Sequence, residues 1–241
     1  MLDEAEITHD TLLRGRVKLL QPRSGYRSSL DPVLLAGFVR PPIGAFLDIG
    51  CGTGALSFLL LARDPEATGV AVEIQPRLAH LAERGRGANG VEARLRVVPG
   101  DVREPEVVVA RAFDLVATNP PFRPVGTGVL PPDAEKAIAH HEVSLTLAGW
   151  LDAAARALRP QGRLATIFPF ARWVELRAGL IARGLSVARF RLVVPREGGE
   201  PGRVLVEGRR GSHEAHEEAP LVVHGAEGYT AEVRAMLGED A

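Results

Sequence analysis

The 241-residue chain predicts an α/β fold, a doubly wound and mostly parallel seven-stranded sheet with a terminal antiparallel hairpin. Two observations carry this expectation. Short apolar runs alternate with segments of helical period, the order that feeds strands into a parallel sheet through crossover helices. The first run also ends in glycines, at the kind of strand-to-helix turn where such sheets bind ligands. With 46% hydrophobic and 24% charged residues the chain can bury a substantial core and is not disordered.

Residues 1–40 read as a basic extension. It holds a short β-ribbon around Leu12 to Leu20, a turn over Pro22 to Tyr26, and a helix from Asp31, which can cap it, with Pro32 at the first helical position. Residues 41–241 form the main domain. Ala45-Phe46-Leu47-Asp48-Ile49 is the first strand, and Ala55 to Ala62 suits a buried helix. Thr68 to Glu73 is the second strand, followed by Leu78, Leu81 and Ala82 at helical spacing and a Gly/Asn-rich end from Gly85 to Gly90. Leu95 to Val98 and Phe113 to Ala117 are the third and fourth strands. After a long loop, Leu145 to Leu158 reads as a helix closed by Arg159-Pro160-Gln161-Gly162, and Leu164 to Phe168 as the fifth strand. Trp173 to Arg183 is a further helix, and Leu185 to Val194 pairs with Arg203 to Glu207 as the hairpin, on the sheet edge.

A net charge of -1 conceals an uneven distribution. Residues 11–30 carry Arg14, Arg16, Lys18, Arg23 and Arg27 and no acid. Residues 172–211 carry nine arginines against four glutamates, whereas 212–241 carry seven acids against Arg234. Basic stretches of this kind can neutralise nucleic-acid phosphates, although charge alone suits a solvated surface equally well. The single cysteine, Cys51, cannot form an internal disulfide. No secretory start and no apolar run long enough for a bilayer are visible, so a cytoplasmic protein without membrane contact is expected.

Asp48-Ile49-Gly50-Cys51-Gly52-Thr53-Gly54 has G-x-G-x-G spacing, not the G-x-G-x-x-G of dinucleotide binders. Glu73 ends the second strand, where an acid can accept hydrogen bonds from two ribose hydroxyls. Asp101 follows the third, where it can accept one from an adenine amino group. Asp48, Glu73 and Asp101 thus describe a nucleoside cleft. After the fourth strand comes Thr118-Asn119-Pro120-Pro121-Phe122. Two prolines stiffen this turn, so the Asn119 amide oxygen and the Pro120 carbonyl can both accept from one planar NH2 group while Phe122 stacks on the ring that carries it.

The set D-I-G-C-G-T-G at 48–54, Glu73, G-D-V at 100–102 and N-P-P-F at 119–122 resembles the amino-group subset of class I S-adenosylmethionine-dependent methyltransferases. The resemblance covers most of residues 40–210. Gly25 to Ala36, Arg203 to Glu207 and Tyr229-Thr230 are similar, within that subset, to bacterial tRNA1(Val) adenine-N6-methyltransferases, which act on the adenosine next to the anticodon. The resemblance implies S-adenosylmethionine as cofactor. Gly50, Cys51, Gly52 and Gly54 would pass under its methionine portion, with Asp48 supporting the amino group. Glu73 and Ile74 would hold the ribose side, and Asp101 and the Val102 backbone the adenine. Asn119, at the cofactor edge as well, would position the acceptor together with Pro120, Pro121 and Phe122.

The expected substrate is adenine N6 in tRNA, bound through Arg14, Arg16, Lys18, Arg23 and Arg27. Glutamine N5 in a protein, guanine N2 in rRNA, and a non-catalytic RNA-binding scaffold are the alternatives. No metal is expected, since His213-Glu214-Ala215-His216 lacks H-E-x-x-H spacing and reads as a solvated loop. Cys51 has no His/Asn pattern that would make it a nucleophile, and His140-His141-Glu142 reads as an exposed helix start. Trp150, Trp173 and Phe168 read as core. Residues 123–142, rich in glycine and proline, are expected to form a loop that closes over a flipped base.

Overall fold

The computed structural model describes residues 4–120 and 145–239. In chain order the elements are β1 (Ile7–Leu12), β2 (Val17–Pro22), α1 (Asp31–Phe38), β3 (Ala45–Ile49), α2 (Ala55–Arg63), β4 (Thr68–Glu73), α3 (Pro76–Ala88), β5 (Leu95–Pro99) and β6 (Phe113–Thr118). There follow α4 (Leu147–Ala157), β7 (Leu158–Pro169), α5 (Trp173–Ile181), β8 (Leu185–Arg196), β9 (Arg203–Arg210), β10 (His216–Gly225), β11 (Gly228–Tyr229) and α6 (Ala231–Met236).

The main sheet has nine strands in the order β11-β10-β8-β9-β7-β6-β3-β4-β5. The seven strands read from the sequence lie side by side as its β8-to-β5 portion, and β9 is antiparallel to both of its neighbours. From β3 the chain moves outward to β4 and β5, then returns to place β6 on the other side of β3. That reversal opens a crevice at the carboxyl ends of β3 and β6, where doubly wound sheets bind their ligands.

Two apolar layers cover the sheet. Leu34, Leu35 and Phe38 of α1 pack with Phe58 and Leu59 of α2 and with Val17 and Leu19 of β2. Trp150 and Leu151 of α4 pack with Leu176 and Leu180 of α5 and with Val116 and Phe168 of the sheet. Trp150 and Phe168 are fully buried, as expected of core aromatics, while Trp173 is half-buried against Phe190. The two-stranded β1–β2 ribbon docks on α3, where Ile7 and Leu20 enclose Leu81 and the Asn89 amide bonds the Lys18 backbone in both directions at 2.8 Å.

Four local readings differ from the structure. Asp31 is the first residue of α1 and not its cap; Leu30 holds the cap position without a side-chain bond. The helix α3 continues past Gly85 to Ala88, because Gly85 gives room to the Phe58 ring inside the turn. Arg159-Pro160-Gln161-Gly162 belong to β7 and not to a helix-closing turn, for the β6–β7 register slips there and Gly162 lies against the Phe113 carbonyl. The β8–β9 hairpin is not at the edge, since β10 pairs parallel to β8 beyond it and His216 opens β10. Among the described residues no helix is long and apolar enough to cross a membrane.

Candidate active site

The site begins with β3. Ile49 sits opposite Thr118 of β6, and the Thr118 hydroxyl donates to the Ile49 carbonyl at 2.9 Å, fixing the two strand ends side by side. The glycine loop leaves one end and Asn119 the other. Gly50, Gly52 and Gly54 all have positive φ, and at Gly52 a Cβ would also come within 2.9 Å of the Tyr26 ring. A side chain is excluded there by both conformation and contact. Gly50 is exposed, with nothing near its missing Cβ, which leaves its backbone open to a ligand.

The acids do more than line the cleft. Glu73, buried at the end of β4, accepts from the Gly52 N–H at 2.8 Å and from the Gln75 N–H at 2.9 Å, so it also ties the glycine loop to β4. A carboxylate has about four lone-pair sites, which leaves capacity for ribose hydroxyls. Asp48 is buried beneath the loop and accepts from the Ser57 hydroxyl of α2 at 2.7 Å. Burial pushes its carboxyl up to about 7, against the Ser57 bond, and the charge of Glu73 adds to the rise. Burial likewise pushes the Cys51 thiol well above its usual range, aided by Asp48 and Glu73, so it stays a protonated thiol. Burial raises the Tyr26 phenol too, with further contributions from Glu73 and Asp48.

Asp101 is held differently. Arg103 donates to it from both its backbone N–H and its guanidinium, and these bonds keep the carboxyl below the usual range. With Gly50, Val72, Ile74, Gly100, Val102 and Leu145 it lines a shallow, open cleft. Ile74 is 39% exposed there, a large apolar side chain just past a strand end. Apolar walls and one acceptor suit a purine ring.

Asn119 is half-buried, yet its Oδ1 is shut from solvent and accepts no hydrogen bond among the described residues. An unpartnered buried acceptor is costly unless a ligand supplies the donor. Pro120 is buried beside it. Pro121, Phe122, residues 123–142 and His140 to Glu142 lie outside the described residues. Together the open Gly50 backbone, Glu73, the partly exposed Ile74 and the Asn119 oxygen fit an adenosine-bearing cofactor beside an amino-group acceptor.

Sequence reasoning assigned no role to Tyr26, Ser57, Thr118 or Arg103. Tyr26 had a visible signal in the Gly25–Ala36 segment, whereas the other three are identified only by their contacts. Of the basic residues, Arg27 is engaged by Asp10, Thr8 and the Pro22 carbonyl, and Arg23 by the Ala5 carbonyl. Arg14, Arg16 and Lys18 have exposed side chains at the ribbon turn.

Residues 31–169 match the family model of the methyltransferase small domain. The chain is 32% identical over 226 residues to a tRNA1(Val) (adenine(37)-N6)-methyltransferase of Porphyromonas gingivalis, covering 89% of this chain and 88% of that one. A protein of the same name from Tolumonas auensis is 31% identical, with 91% of each chain covered. Among solved structures, a predicted O-methyltransferase of Agrobacterium tumefaciens superposes with a TM-score of 0.69 at 25% identity, covering 88% of this chain and 97% of that chain. The chain belongs to the methyltransferase small domain family and is an S-adenosylmethionine-dependent methyltransferase.

Proposed function

We propose that the enzyme methylates N6 of an adenine in tRNA, and that the buried, unpartnered Asn119 oxygen beside the glycine loop receives the target amine. The relatives from P. gingivalis and T. auensis carry that activity in their names. When bound, S-adenosylmethionine supplies an electrophilic methyl carbon on a sulfonium. Gly50, Gly52 and Gly54 carry the loop under its methionine portion, with Asp48 and Cys51 beneath. Glu73 and Ile74 take the ribose side, and Asp101 and Val102 the adenine.

Asn119 Oδ1 and the Pro120 carbonyl accept the two N–H bonds of the target amine. Two acceptors below the plane favour a pyramidal nitrogen, whose lone pair then faces the methyl carbon. With the cofactor held there, its methyl group would pass to that nitrogen, the N–C bond forming as the S–C bond breaks. The methylated nitrogen is strongly acidic and its proton leaves to water, so no general base has to be supplied. Alignment and exclusion of water carry the acceleration. A tRNA substrate places the enzyme in the cytoplasm.

The test is methyl transfer to unmodified tRNA, to rRNA and to release factors in parallel, with label on tRNA adenine N6 expected. Label on glutamine N5 or guanine N2 instead would replace adenine as the acceptor. Asn119→Ala should lower kcat by at least about a hundredfold while cofactor Kd stays within a few fold, the pattern of a group that acts in the transition state. Unchanged turnover removes Asn119 from the chemistry.

A further inference from the structure

The free cations of the ribbon turn are far from Asn119. The ribbon runs antiparallel to itself from the carboxyl edge, where Arg77 at the start of α3 donates to the Ser24 carbonyl, to the amino edge, where Lys18 meets Asn89 at the end of α3. At about 3.3 Å per residue, the six residues of β2 put the turn roughly 20 Å below the cleft. A nucleic acid whose base enters the cleft must therefore also be gripped at the carboxyl edge.

The nine arginines of 172–211 supply little of that grip. Six are paired with acids, Arg210 donates to the Ala155 carbonyl, and Arg177 lies over the Trp173 ring. Among these nine, Arg196 alone has no hydrogen bond, ion pair or ring contact from its guanidinium to any described residue, and it is exposed at the carboxyl end of β8.

Directly across the ladder from Arg196 is His224 of β10. His224 stacks on Tyr229 of β11 with ring centroids 4.9 Å apart and planes at 29°, and its Nδ1 faces the Pro195 carbonyl at 3.3 Å. The placement of Tyr229 is rigid: Thr230 donates to the Val222 carbonyl at 2.8 Å and caps α6. Tyr229 is nevertheless 37% exposed.

We propose that Tyr229, backed by His224 and flanked by Arg196, is a docking site for one unpaired nucleotide of the RNA, separate from the base that is methylated. The proposal rests on the RNA reading above. An exposed ring beside an unpaired cation is the chemistry by which single-stranded nucleic acid is held, the base stacking on the ring and its phosphate meeting the cation. The neighbouring turns carry Glu197, Glu200 and Glu227, which oppose an extended phosphate track and limit the contact to one nucleotide. From β6 to β11 there are five strand spacings of about 4.8 Å, so the platform lies roughly 24 Å along the edge from the acceptor turn, within the span of a nucleic-acid loop.

The experiment uses the full chain and an unmodified tRNA transcript, measuring RNA and cofactor Kd at several salt concentrations. Tyr229→Leu should weaken RNA binding about tenfold, with Tyr229→Phe within twofold of wild type. Arg196→Gln should reduce the salt slope by about one. Cofactor Kd should not change in any of the three, which also reports that they are folded. In an abasic scan of the RNA, the Tyr229→Leu effect should vanish at one position other than the methylated adenosine. If the wild type methylates the RNA while Tyr229→Leu and Arg196→Gln bind it with wild-type affinity and slope, the docking site is overturned and the RNA reading stands. If the wild type does not methylate RNA, the reading falls and the site with it. Weaker binding of a release factor by Tyr229→Leu, with RNA affinity intact, also overturns the site.

Discussion

Asp48, next to last in β3, has its carboxyl sealed under the glycine loop with a single hydroxyl, Ser57, as donor. In an unfolded chain this acid ionises near 3.8, whereas in the fold burial holds the proton until about 7. The folded state therefore binds the proton more tightly, and stability falls as pH rises from about 4 through 7, the full cost being present above 7. Asp48→Asn keeps the shape and removes the ionisation. Between pH 5 and pH 8 the Tm of the wild type should fall by several degrees more than that of Asp48→Asn; equal falls would mean that the buried acid is not what titrates. Near the same loop, the positions of the acids and Asn119 were legible in the sequence because they fall at or just after the ends of readable strands. Tyr26 and Ser57 reach Gly52 and Asp48 only through tertiary packing, which no local pattern encodes.

Phe58 of α2 is wedged between Gly54 at the start of its own helix and Gly85 inside α3, where a Cβ at either glycine would come within 2.8 Å of the ring. Two effects oppose each other at Gly85. Alanine is the better helix former by about 1 kcal/mol, while forcing a methyl into a packed core costs about 1–3 kcal/mol. The contact is with a ring that is itself fully enclosed, so the second effect wins. Gly85→Ala should lower stability by about 1–2 kcal/mol in urea unfolding. A stabilised Gly85→Ala would show that the ring can move aside. Gly85, with the Gly/Asn-rich stretch to Gly90, made α3 look finished early in the sequence. The strand β10 was hidden for a different reason: its first half, His216 to Pro220, is polar and largely exposed, and only Leu221 and Val223 alternate inward. Seven strands were readable because each carries a short apolar run, whereas β10 and β11 were not because they have little to bury.

Across the whole molecule, the exposed cluster of Arg14, Arg16 and Lys18 and the candidate site lie at opposite edges of the sheet. Changing Arg14, Arg16 and Lys18 to Ala should weaken tRNA binding and lower the salt slope by as much as about three, while kcat at saturating tRNA stays within twofold. An unchanged slope removes the ribbon turn from the RNA surface. The β1–β2 extension has a second involvement, independent of charge. Val17 and Leu19 belong to the apolar layer over α1 and α2, Arg77 grasps the Ser24 carbonyl, and the Tyr26 ring rests against Gly52. A chain begun at Asp31 would strip this floor from beneath the cofactor loop, and calorimetry with S-adenosylmethionine should register the damage with no RNA in the cell. Silence of such a truncated enzyme towards tRNA would then report a methyl donor that is no longer held, and would say nothing about how the nucleic acid is recognised.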